Sequence, residues 1–413
     1  MVPAKSAMGL RFLDFPAEIR EQIYGEILST ASARCGPICP DEPASFKYQV
    51  NILLANHLIY HEAKKVFQDN IFIKITTPWP EAIEHIRSAG KVPSVCTGDK
   101  ASAFRDFHLW ILIDTPATPY PQSHGSFSML ICLEDLEAFT RMWHFSNLNH
   151  VGLNQHLRLK LIIQDPHVEE RKIPKRLQQR LLLPFGLVKE LHTFSIDGHN
   201  TKILPSVEEA LKKEQKIPDP TPEQSLEKSF LLKDAGNKFL KEGSLRKALE
   251  LYVEAFAAIH ITVSGRARTI HADGYYIREL VSGTYRGMRG DYVRMILRVQ
   301  LVANMVLAYL KLEDYAEAHF WGKRTIVLFR QSVTGNDAED FGDDDPQTWL
   351  SETWAARFPA HEAMGKIFYR TAMASKKLGK TADVRTLMRA ANVYLPNDQA
   401  VQKELTALEV GLQ

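Results

Sequence analysis

The stretch Lys216-Ile-Pro-Asp-Pro-Thr-Pro222 constrains this chain more than any other, because three prolines at alternate positions cannot continue a helix. It reads as a stiff linker over residues 216–224, separating a part at 1–215 from a part at 225–413. The hydrophobic period differs on its two sides. Upstream, helical and strand signals are mixed. Residues 16–28 predict a helix, with Glu18 in the first turn and Ile19, Ile23 and Ile27 on one stripe, and 51–67 and 133–145 predict two more. The runs at 72–76, 108–114, 157–163 and 191–196 predict strands, and 157–161 alternates cleanly, as a half-buried strand does. From Ser225 onward strand signals vanish and helices alternate with short Gly or Asp turns. The expected fold is mixed: an α+β part followed by an all-α part.

The second part is self-similar. In residues 232–255, Gly236, Phe239, Ala248, Tyr252 and Ala255 have the spacing that two closely packed antiparallel helices need. Small residues let the backbones approach and aromatics fill the space between turns. Residues 302–325 repeat the scheme with Asn304, Ala308, Tyr309, Tyr315 and Ala318, and 368–396 with Ala372, Gly379, Ala391 and the stop Leu395-Pro396-Asn397. Extra sequence lies between the repeats at 262–298 and 331–362, the latter holding an acidic run at 336–346 that lacks calcium-loop spacing.

These segments resemble tetratricopeptide repeats, helix–turn–helix units of about 34 residues that stack into a curved array. The resemblance covers 225–413 and is weaker in the third segment, where Val384 stands in place of a small residue. Lys233 and Asn237, four apart, share a face of the first helix of the first repeat; Asn304 lies on the corresponding helix of the second, and Lys366 and Arg370 on that of the third. All five match the positions of carboxylate-clamp co-chaperones. The resemblance implies a groove that binds the acidic C-terminal tail of a seventy- or ninety-kilodalton heat-shock chaperone. The chemistry suits a terminal Asp, which offers two carboxylates to a lysine point charge, an arginine fork and amide donors.

The opening Phe12-Leu-Asp-Phe-Pro-Ala-Glu-Ile-Arg-Glu-Gln-Ile-Tyr-Gly-Glu-Ile-Leu28, with the segment at 52–67, resembles fungal F-box-like proteins, with Phe15-Pro16 where Leu-Pro is usual. The implied partner is a Skp-type adaptor of a cullin ubiquitin ligase, met through Phe15, Pro16, Ile19 and Ile23; the alternative is that the isoleucines pack into the protein's own core. On that reading the chain is a substrate receptor whose repeats select the substrate.

Composition sets the remaining bounds. A formal charge of +2 lacks the basic excess of a nucleic-acid binder, and 45% hydrophobic with 24% charged residues fits a folded soluble protein. The four cysteines suit a reducing compartment, the cytoplasm or nucleus. The most apolar stretch, 301–310, holds Asn304 and is too short to cross a bilayer, so no membrane is expected. His57 and His61 have the spacing of a zinc pair, with Cys35 and Cys39 upstream, but Leu58 stands where a metalloprotease needs Glu, and the gap from Cys39 exceeds finger spacing. The basic run 286–294 reads as a surface or an RNA contact, and Gly379-Lys380-Thr381 as a repeat turn rather than a phosphate loop. No nucleophile–base pair stands out, and neither a catalytic function, a metal nor a cofactor is expected.

Overall fold

The computed structural model describes residues 11–36, 42–116, 126–167, 173–334 and 358–410. The chain forms two compact units, Met1–Pro218 and Asp219–Gln413. The acidic run at 336–346 and Cys39 lie outside the described residues.

In the first unit, helix α1 (Ala17–Leu28) packs on α2 (His57–Phe67). The buried side chains there are Tyr24, Leu28, Ile59 and Ala63, so the buried stripe of α1 lies one residue beyond the stripe of Ile19, Ile23 and Ile27, of which Ile27 packs against this core. A bidentate ion pair of Arg20 with Glu62, at 2.9 and 2.6 Å, joins the two helices, and Tyr24 Oη donates to the same carboxylate at 3.0 Å. The helix expected over 51–67 is broken. A 3-10 turn covers Val50–Leu54, and Asn56 restarts the chain as the cap of α2, its Oδ1 accepting the N–H of Ile59 at 2.9 Å.

Beyond α2 comes a six-stranded mixed sheet. Its strands are β1 (Phe72–Thr77), β2 (Cys96–Thr97), β3 (Leu109–Asp114), β4 (Phe127–Cys132), β5 (Arg158–Ile163) and β6 (Thr193–Gly198), in spatial order β2-β4-β1-β3-β5-β6. β1 runs parallel to β3 and antiparallel to β4, while β5 is parallel to β6. Helices α3 (Pro80–Ser88), α4 (Leu136–Asn149), α5 (Lys175–Leu182) and α6 (Pro205–Gln215) accompany it. Ile73, Ile75, Leu109, Ile111, Ile131, Leu161, Phe139 and Leu181 share its main core. The strand β4 was not expected from sequence; its run Phe-Ser-Met-Leu-Ile-Cys has no alternation because all but Phe127 are buried.

The second unit is built from antiparallel helix pairs: α7 (Pro222–Lys241) with α8 (Leu245–Ala258), α9 (Gly290–Lys311) with α10 (Tyr315–Thr334), and α11 (His361–Lys377) with α12 (Thr381–Tyr394), followed by α13 (Gln399–Val410). α7 begins with Pro222 in its first turn, where a missing N–H is no loss, and Thr221 and Gln224 form a reciprocal capping box at 3.3 and 2.8 Å. The helices of a pair touch closely through small residues: a Cβ placed on Gly236 would lie 2.5 Å from Cε1 of the buried Tyr252, and one on Gly365 would lie 2.5 Å from Leu395 Cγ. The turns between paired helices repeat a left-handed residue, at Gly243 (φ +83), Glu313 (φ +60) and Gly379 (φ +71). The last places Gly379-Lys380-Thr381 in a helix–helix turn.

The all-α expectation for this unit is corrected by a hairpin, β7 (Ile261–Ser264) and β8 (Ala267–Ile270), in the sequence between the first and second pairs. β-Branched residues flank a two-residue turn with Gly265 at φ +55, which suffices for a short ladder. The apolar run of α9 also extends past 301–310. By length and composition alone Gly290–Lys311 could cross a membrane, yet Leu297, Leu301, Val302, Met305 and Val306 are all buried in the unit's core.

Candidate functional site

The first helices of the three pairs lie side by side, with α9 packed against both α7 and α11. Periodicity therefore carries the polar residues at 233, 237, 300, 304 and 370 to one strip across three helices. Lys233 is 9% exposed; its Nζ donates to Gln300 Oε1 at 2.9 Å and sits 4.2 Å from the centre of the Phe230 ring. Burial holds its pKa below the ordinary lysine value, opposed in part by the charge of Asp234. Asn237 Oδ1 accepts from Tyr252 Oη at 2.9 Å and from Asn304 Nδ2 at 2.7 Å, linking α7, α8 and α9. Arg370 Nη1 donates to the backbone carbonyl of Ala303 at 2.6 Å, and burial pulls its pKa down to about 10. The phenol of Tyr252, pushed up to about 12 by burial, is in electrostatic contact with Arg370.

The strip thus brings Lys233, Asn237, Asn304 and Arg370 together, already bonded to one another's helices. Lys366 stands at the rim: its side chain is 43% exposed and 3.6 Å from Glu362 one turn earlier. It borders a cleft of about 460 Å³ lined by Leu307, Tyr369, Arg370, Met373, Lys377 and Leu395. Gln300 and Lys377 were not anticipated. The signal for Gln300 was its position four before Asn304, on the same helix face.

At the N-terminus, Phe15 and Ile23 are half-buried, Pro16 is exposed and Ile19 is 39% exposed. Leu13, Leu54 and Leu58 are exposed as well. His57 and His61 face solvent, and among the described residues no three His, Cys, Asp or Glu side chains converge as metal ligands would. Arg294, from the basic run 286–294, is no surface residue; it is 3% exposed and donates to the carbonyls of Ile259 and His271 at 2.9 and 2.6 Å.

No protein-family model matches the chain, and no curated protein matches it. Among solved structures, the C-terminal TPR-containing domain of a Plasmodium falciparum FK506-binding protein aligns with 47% of this chain and 94% of its own length, at 14% identity and a TM-score of 0.29.

Proposed function

We propose that the second unit is a protein-binding adaptor module whose strip of first-helix residues receives the acidic C-terminal tail of a heat-shock chaperone. The observation that carries this reading is the convergence of Lys233, Asn237, Asn304 and Arg370 across three adjacent helices, with the exposed Lys366 beside an apolar cleft. The terminal carboxylates of such a tail replace Gln300 as the partner of Lys233 and accept from the amides of Asn237 and Asn304. Lys366 meets an acidic side chain upstream. Exchanging a neutral acceptor for a carboxylate strengthens each bond about twofold, more so in a partly buried setting. The test is anisotropy of a labelled Met-Glu-Glu-Val-Asp peptide on the full chain, with the C-terminally amidated peptide as control. Micromolar binding that weakens with salt and is lost on amidation supports the clamp; equal binding of both peptides removes it.

A second reading is favoured by a different observation. Leu13, Ile19, Leu54 and Leu58 leave apolar side chains exposed on the small helical portion around α1 and α2. A Skp-type adaptor would cover them, making the chain a ubiquitin-ligase substrate receptor. Co-purification with such an adaptor, abolished by Ile19→Asp with Leu58→Asp, distinguishes it.

A further inference from the structure

A second polar cluster in the same unit takes no part in that strip. Arg268 lies on β8, Arg298 on α9 and Arg324 on α10. The guanidinium of Arg268 sits 5.8 Å from the Phe256 ring centre and 5.9 Å from that of Trp321. Its Nη1, and Nε of Arg298, are shut off from solvent without any hydrogen-bond acceptor. Arg324 reaches the hairpin by donating to the carbonyl of Arg266 at 2.8 Å. The carboxylates nearby are already engaged: Glu317 holds Arg266 at 2.7 Å and Asp273 holds Arg294 at 2.7 Å. Among the described residues none pairs with Arg268, Arg298 or Arg324.

Partly buried cations of one sign are costly. Burial, then the charges of Arg298 and Arg324, pulls the pKa of Arg268 down to about 9, and burial with the neighbouring Arg294 lowers that of Arg298, offset only in part by the charge of Asp273. A guanidinium keeps its proton at neutral pH all the same, and among the described residues no carboxylate bonds these three, so an anionic ligand would relieve their repulsion. Arginine's planar fork fits phosphate with paired N–H bonds, and forks from three elements suit a tetrahedral anion better than one planar carboxylate.

We propose that Arg268, Arg298 and Arg324 form a binding site for a phosphate-type dianion, which ties the hairpin to α9 and α10. Arg298 lies one turn from Arg294, on the side of α9 that meets the hairpin, so the site is independent of the peptide strip and stands whether or not that strip binds a tail.

The experiment is thermal unfolding of the full chain in a series of inorganic phosphate concentrations, against chloride at matched ionic strength, with a parallel arm of O-phosphoserine. Phosphate is expected to raise the midpoint saturably, by about 5–10 °C at a hundredfold excess over its Kd. Arg298→Met removes a partly buried charge that no described carboxylate bonds, so it should unfold at a higher midpoint than the wild type without phosphate and lose the increment with it. Should that variant fail to fold, the half-exposed Arg324→Gln serves, with loss of the increment as its readout. A response to O-phosphoserine extends the site to phosphate esters; a response to inorganic phosphate alone restricts it to the free anion. A phosphate series that tracks the chloride series, or an increment retained by the variants, overturns the proposal.

Discussion

Replacing Gly236 by alanine tests the packing that shapes the first helix pair. The added Cβ would lie 2.5 Å from Cε1, 2.9 Å from Cδ1 and 3.2 Å from Cζ of Tyr252, whose ring is fully buried. The ring cannot swing aside freely, because its hydroxyl is anchored on Asn237 at 2.9 Å. Forcing a methyl into such a contact costs about 1–3 kcal/mol, while alanine's better helix propensity returns about 1 kcal/mol. With two ring atoms under 3.0 Å the contact cost falls in the upper part of that range, about 2–3 kcal/mol, so the net expectation is a loss of roughly 1–2 kcal/mol, or a fall of about 2–8 °C in the unfolding midpoint of a unit this size. The assay is denaturation of the full chain, followed by hydrogen exchange at α7 and α8 so that the change is assigned to the second unit. Tyr252→Leu costs stability on its own, but combined with Gly236→Ala the loss should be smaller than the sum of the two single losses, a coupling of opposite sign to the single effects. A neutral or stabilising Gly236→Ala would mean that propensity outweighs contact here, and the close-approach argument would fail.

Other expectations follow from single contacts. Glu313 is exposed and left-handed at the turn where the other pairs carry glycine, so Glu313→Gly should stabilise by about 0.5–1 kcal/mol net of backbone entropy, read as a higher denaturant midpoint. His108 is 6% exposed, 5.8 Å from the ring of His167, and burial pushes its pKa down to about 4. Between its ordinary 6.5 and 4 the unfolded chain therefore holds a proton that the folded chain lacks, and stability falls as pH drops through that window, by about 3 kcal/mol in all. His108→Phe should flatten that slope in pH-dependent unfolding of the first unit. In the peptide assay, Lys366→Ala should weaken binding about threefold to tenfold at low salt and less at high salt, since its exposed charge is screened. A salt-independent loss would argue for a structural effect.

The helix pairs were legible because the spacing of Gly236, Ala248 and Tyr252 records a contact, and that contact exists. The face shared by Lys233 and Asn237 was equally readable from a spacing of four. What sequence did not reveal is tertiary: that Lys233 is already bonded to Gln300 and Arg370 to a backbone carbonyl, partners 67 residues away in each case. The strand β4 escaped because burial on both faces erases the alternation that marks a strand. For α1 the isoleucine stripe left two uses open, adaptor contact or the protein's own core, and period alone could not choose: Tyr24 and Leu28 carry the core, Ile27 packs against it and Ile19 is left outside.

The double acceptance at Asn237 has an entropic side. An amide oxygen has two lone pairs, and here Tyr252 and Asn304 occupy both. The amide plane is thereby fixed through its oxygen, and the nitrogen end has no freedom to trade places with it. An arriving acceptor meets a donor whose rotamer was chosen during folding, so the ordering cost of about 0.5–1.5 kcal/mol that a loose side chain imposes on binding has already been met.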